Sequence, residues 1–183
     1  MHHAYLKEIT RLTTSGARAI EHFVLDDQAY IAVPQLAEDM PDTAPNMNGG
    51  NSDTEVLLFR STSAGYQVHQ RLPSPGGEDA EFFSIDQRHF LAIASIRSGH
   101  GPYQFTTDSI LYEWQNGRFV EFQHFPTVAA KQWHHFILGD HHFLALAQGI
   151  VAEGIPHAAS PIYKWDGTRF SPFQEIPSQW AYN

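Results

Sequence analysis

Twelve histidines in a chain of 183 residues raise the question of a metal site first, above all His134-His135 and His141-His142. Adjacent residues on a strand point to opposite faces, so neither pair offers both rings to one ion without a partner across the hairpin. No metal or other cofactor is expected. The chain has no cysteine, which excludes thiolate ligands, a thiol nucleophile and a disulfide framework. Serine and histidine are plentiful, yet no Gly-x-Ser-x-Gly elbow occurs. The nearest loop with chemical character is Ser98-Gly99-His100-Gly101, where glycine also serves an ordinary turn. The phosphate-cradling Gly-x-x-x-x-Gly-Lys pattern is absent. Carboxylates remain: Glu21, Asp79 and Glu81 could supply the two acids that flank a scissile glycosidic bond.

Charge narrows the partners. Eleven Lys and Arg against 20 Asp and Glu leave −9, so no counterion-release drive toward nucleic acid exists. No apolar run approaches the ~20 residues of a spanning helix, and Met1 to Lys7 lack a basic start followed by an apolar stretch. Membrane insertion is therefore not expected, and these residues carry no secretory signal. Thirteen Phe, 7 Tyr and 4 Trp are too many large hydrophobes for a disordered chain.

The elements that must position these groups show themselves as a repeat. Phe23, Phe83 and Phe136 each precede a second aromatic, Tyr30, Phe90 and Phe143, by 7 positions. Interleaved with them, Phe59, Tyr112 and Tyr163 are followed after 7 positions by Tyr66, Phe119 and Phe170, and after 13 by Leu72, Phe125 and Ile176. From Leu12, Leu72 and Phe125 to Phe23, Phe83 and Phe136 the separation is always 11. The length varies at one connection only, giving repeats of 60, 53 and 51.

Each unit reads as four short strands; in the second unit they run Glu81 to Ile85, His89 to Ala94, Ser109 to Trp114 and Arg118 to Gln123. Asp-Gln, Asn-Gly and Gly-Asp pairs mark tight hairpins. The second strand is apolar on both faces, which calls for cover on both sides. Four-stranded sheets stacked face to face make an all-β chain of β-propeller blades. In that frame Glu21 and Glu81, with Asp79 nearby, start the innermost strands, and His134 takes their place in the third unit; all four are expected as polar groups around a channel mouth. The variable connection between second and third strands is the expected binding element. Within it Arg97, His100, Tyr103 and Phe105 combine charge with aromatic area. The longer connection Leu36 to Glu55, rich in Pro, Asn, Asp and Gly, is expected to be mobile, and loss of Asn46 to Asn51 to cost little.

The strings Ser109-Ile110-Leu111-Tyr112-Glu113-Trp114, Phe119, Phe122-Gln123 and Phe125-Pro126, then Ile162-Tyr163-Lys164-Trp165-Asp166-Gly167, Phe170, Phe173-Gln174 and Ile176-Pro177, resemble the epilepsy-associated repeat, also called the EPTP repeat. Earlier units depart from it: Ile9-Thr10 and His69-Gln70 replace or alter the Phe-Gln pair. A kelch Gly-Gly pair is missing, and Trp165-Asp166 stands alone. The resemblance implies a seven-bladed propeller, as in the leucine-rich glioma-inactivated proteins, an extracellular setting, and binding of partner proteins without catalysis. An enzyme or lectin acting on glycans is the alternative.

The expected division is a lone outer strand in 5–15, blades at 16–73, 74–126 and 127–177, and the start of a next blade at 178–183. Three blades fall below the roughly four to eight that close a ring. Further blades, from a longer chain or from association of copies, are expected to cover the apolar faces left over.

Overall fold

The computed structural model describes residue 8 and residues 10–41 and 49–182. Twelve strands fill them: β1 Glu21–Leu25, β2 Gln28–Val33, β3 Glu55–Thr62, β4 Gly65–Pro73, β5 Gly77–Ile85, β6 Arg88–Ser95, β7 Thr106–Gln115, β8 Arg118–Val128, β9 Ala130–Leu138, β10 His141–Gln148, β11 Ser160–Trp165 and β12 Phe170–Ile176. No helix occurs among the described residues. The strands form three antiparallel sheets, each ordered as it runs in sequence. The fold is thus all-β, a partial propeller of three four-stranded blades, with β1, β5 and β9 innermost and adjacent in turn. Of the expected lone outer strand in 5–15, residues 5–7 and 9 lie outside the described residues, and residues 10–14 form no strand. Leu12 itself packs on the cluster of Val33, Leu57 and Phe59.

Local chemistry explains the hairpins. Asp26 and Asp27 take φ of 51° and 58°, and Asn116-Gly117 takes 52° and 84°, the left-handed pairs that two-residue turns between twisted strands require. The strands of the second unit run beyond the lengths read from sequence, because backbone pairing continues past the alternating apolar positions, from Thr106 opposite Val128 and from Gly77 opposite Ser95.

Packing falls into two seams. Between blades 1 and 2 lie Phe23, Tyr30, Leu58 and Leu72 against Leu91, Ile93, Tyr112 and Phe119. Between blades 2 and 3 lie Phe83, Phe90, Leu111 and Phe125 against Trp133, Leu144, Leu146 and Phe170. β6 therefore has both faces covered, and Phe90 to Ala94 are all 0% exposed. Phe143 occupies the place equivalent to Phe90 but does not lie between two blades: its ring meets Phe136 and Phe173 on the outward face of blade 3. On that face Phe173 is 57% exposed.

Candidate functional site

The Phe-Gln pair is the first device that the fold explains. Each sheet slips register between its third and fourth strands at one equivalent place, after Leu58, Leu111 and Ile162. The unpaired extra residue is His69, Phe122 or Phe173, one step before Gln70, Gln123 or Gln174. Such a bulge re-aims side chains, so that two neighbours serve one face instead of alternating. Phe122 packs on Phe90 and Trp165. Gln123 reaches the next blade, where its amide donates to the Phe170 carbonyl at 2.7 Å and accepts from the Phe170 N–H at 3.0 Å. Gln70 clasps Phe119 in the same way, at 2.7 and 2.9 Å. Gln174 has no such partner among the described residues.

The carboxylates at the inner strands do parallel work. β1, β5 and β9 are the edge strands of their sheets, so some of their N–H groups have no partner strand on one side. Glu21 Oε1 accepts from the Phe82 N–H at 3.1 Å, Glu81 Oε1 from the His135 N–H at 2.8 Å, and Asp79 Oδ2 from the Trp133 N–H at 2.9 Å. Burial pushes the Asp79 carboxyl up to about 6, with the Trp133 N–H opposing the shift; burial likewise raises Glu21. These groups are spanned into the seams between blades. His134, the equivalent of Glu81, is turned outward, its Nδ1 3.7 Å from Glu81 Oε1.

The loop residues come together only in part. Arg97 is buried, its guanidinium flat against the Tyr103 ring at 3.7 Å, with Nε donating to Ser52 Oγ and a terminal nitrogen to the Gly49 carbonyl. The Tyr103 hydroxyl donates to the Gly50 carbonyl at 2.8 Å. Arg97 and Tyr103 thus lock the second blade's loop to the first blade's. Asp53 Oδ1 accepts from the Gly99 N–H, and Glu38 and Asn51 bridge the long connection. Within the 36–55 segment, residues 49–53 are tied to the neighbouring loop by Arg97, Gly99 and Tyr103. Removing Gly49 to Asn51 would strip those partners; residues 42–48 lie outside the described ones. Phe105 packs beside Leu36, Ile96 and Ala129. His100 is exposed at the loop tip, apart from these contacts.

Beneath the loops lies a cavity of about 360 Å³ that Arg97, Tyr103 and Phe105 line and His100 does not. Its remaining polar lining was missed from sequence, although the frame carries it: Arg18, Glu78, Lys131 and Tyr182 occupy equivalent places one repeat apart. Arg18 Nε pairs with Glu78 Oε2 at 3.0 Å, and the Lys131 ammonium sits over the Tyr182 ring at 4.5 Å. Three cations thus face one carboxylate within a chain of net −9. Just before each of these residues the backbone turns left-handed, at Gly16, Gly76, Ala129 and Trp180 with φ of 57°, 54°, 49° and 57°. A Cβ on Gly76 would come within 2.4 Å of the Arg97 carbonyl oxygen, so glycine is required there by crowding as well as by φ. Among the described residues no group of three or more metal-ligating side chains occurs.

Comparison with known proteins agrees with this architecture. The family model of the EPTP domain matches residues 66–115 and 118–166, more than half of the chain. Each matched unit begins in the fourth strand of one blade and ends at the close of the third strand of the next, the second one residue past Trp165, so the unit itself straddles a seam. The chain is 29% identical over 138 residues to the human (Homo sapiens) thrombospondin-type laminin G domain and EAR repeat-containing protein, covering 73% of this chain and 20% of that protein. It is 34% identical over 92 residues to human leucine-rich repeat LGI family member 2, covering 47% of this chain and 16% of that one. The chain spans about a fifth or less of the length of these relatives. Bulge, glutamine clasp and strand frame recur where the family model matches, and this chain belongs to the EPTP repeat family.

Proposed function

We propose that this chain is a non-catalytic protein-binding part of an EPTP propeller, acting outside the cell, and that the cavity beneath the second-to-third strand loops is where a protein partner makes contact. Supporting this reading above all is the division of labour among the polar groups. Glu21, Asp79 and Glu81, the acids a glycosidase would need, are engaged with backbone N–H groups across seams. The cations and aromatic rings instead line an open cavity on the loop face. A cleft with an excess of one sign of charge within apolar walls concentrates the field felt by a partner, and aromatic and Arg side chains favour interface centres. Arg97 and Tyr103 then act by holding the cavity's shape, and Phe105 by flooring it. The outward face of blade 3, with Phe173 and Gln174, is covered by a further blade, from a longer chain or another copy.

The test compares capture of proteins from the source material by the wild-type chain with capture by Lys131→Glu and Trp180→Ser, alongside a screen of chromogenic glycosides. Partners retained by the wild type and lost from both variants support the reading. Turnover of any glycoside that disappears in Glu81→Gln overturns it.

A further inference from the structure

The two seams place different side chains in one seat. In the first, Phe82 of β5 stacks on Phe23 of β1, with ring centroids 4.0 Å apart and planes 5° apart. His89 of β6 lies behind it at 6.3 Å. In the second, one repeat later, His135 of β9 stacks on Phe83 of β5 at 4.3 Å and 6°. Behind it is His142 of β10, whose Nδ1 is 3.0 Å from His135 Nε2. A permanently neutral ring has thus been exchanged for an imidazole hydrogen-bonded to a second imidazole. One proton between those nitrogens makes the bond; a proton on both abolishes it and sets two cations side by side.

We propose that this His135–His142 pair is a proton-sensitive latch, so that mild acid loosens blade 3 from blade 2 while the Phe23–Phe82 stack keeps blades 1 and 2 joined. Burial is the main force holding the His135 imidazole down to about 4, with His142 and His134 adding to it. A histidine so depressed is neutral in the closed seam and charged when released to water, so cohesion present above the ordinary histidine range is lost as pH falls through it.

Other charged groups face the same seat. From β5, Glu81 accepts the His135 N–H and Asp79 the Trp133 N–H. From β6, Arg88 is turned into its pair with Glu113 and against Phe122 and Trp165. From β9 itself, His134 reaches the same Glu81 carboxylate, with Nδ1 3.7 Å from Oε1, and like Asp79 it is common to wild type and His135→Phe. Asp79 takes up its proton over an overlapping interval and acts in the opposite sense, since its charged form is the penalised one. The latch is therefore read as a difference in which Asp79 is common to both proteins. It stands independently of what the cavity binds. If the cavity is the binding site, loosening blade 3 also displaces Lys131, at the start of β9, and so couples binding to pH.

The experiment follows melting of the wild type, His135→Phe and Phe82→His between pH 7.5 and 5. The expected result is that the advantage of His135→Phe over wild type widens as pH falls, and that Phe82→His acquires a new acid sensitivity. A second measurement needs no variant: amide exchange of His135 and Phe82, which are clasped by equivalent carboxylates. His135 protection is expected to fall about tenfold relative to that of Phe82 between pH 7 and 5. A pH-independent difference between wild type and His135→Phe, or parallel exchange at the two amides, overturns the latch.

Discussion

The seam between blades 1 and 2 and the seam between blades 2 and 3 are laid out on one frame and finished differently. Both have a glutamine clasp at the outer strands, a carboxylate on an inner-strand N–H, and stacked rings between. In the first, the Tyr112 hydroxyl donates to the Pro73 carbonyl. In the second, the Trp133 indole N–H is buried without a partner, the one such side-chain atom among the described residues. A donor left unmet in a dry place costs about 1–3 kcal/mol. The second seam adds a buried Asp79 and a hydrogen-bonded pair of imidazoles, and beside them Arg88, held against Phe90, Phe122 and Trp165 at 5.0, 4.9 and 5.1 Å. Equivalent geometry therefore does not mean equivalent strength: each seam holds a carboxylate that burial penalises, Glu21 in the first, but the second adds Asp79, the His135–His142 pair and an unmet indole N–H to its large aromatic contact.

The harshest way to break this comparison is Phe90→Ala, which removes a ring that is 0% exposed at the second seam. A loss of about 4 kcal/mol is expected in urea unfolding. Phe143→Ala, on the outward face, is expected to cost clearly less, and equal losses would show that blade 3 is covered on both sides. Next comes pH. Asp79 titrates near 6 in the fold against about 3.8 when unfolded, so its ionised form is penalised. Its contribution is least favourable above pH 6 and improves by up to about 3 kcal/mol as pH falls toward 4. Asp79→Asn should remove that component, seen as a flatter stability profile on its own account. Gln123→Ala and Gln70→Ala should each cost about 2 kcal/mol by leaving two backbone groups unmet. Gln174→Ala, lacking a clasp among the described residues, should change melting by less than about 0.5 kcal/mol. A Gln174 effect as large as that of Gln123 would reveal a cover on blade 3.

Much of the fold was legible because the repeat is written in large apolar residues whose spacing follows from strand length and turn length. Tyr30, Phe90 and Phe143, or Leu72, Phe125 and Ile176, cannot shift by one place without turning to the wrong face. The bulge was not legible, since Phe-Gln carries no glycine and nothing in a two-residue period announces an extra residue. Its signal was the recurrence of the pair itself. The left-handed turns escaped for a similar reason: glycine marks two of them, while Ala129 and Trp180 do not. The carboxylates are legible as polar groups at the start of the innermost strands but not as clasps, because sequence does not say that an edge strand's N–H groups will lie within reach across a seam. In the loop, Arg97 and Tyr103 drew attention by type; that they face inward to Ser52 and Gly50 depends on contacts between residues about fifty positions apart.

The clasps have one property with a wider reach. Gln70, Gln123, Glu21 and Glu81 all take hold of main-chain N–H or C=O groups on the next blade. Every residue except proline offers both, so the adhesive does not depend on which side chain the neighbour carries. Two repeats can differ in sequence without losing their grip on each other, as Phe82 and His135 differ in the same seat. The apolar filling must still fit, but it can be renegotiated one contact at a time while the polar links persist. A lineage of blades joined in this way can lengthen, exchange members and diverge at its loops while each joint keeps its geometry.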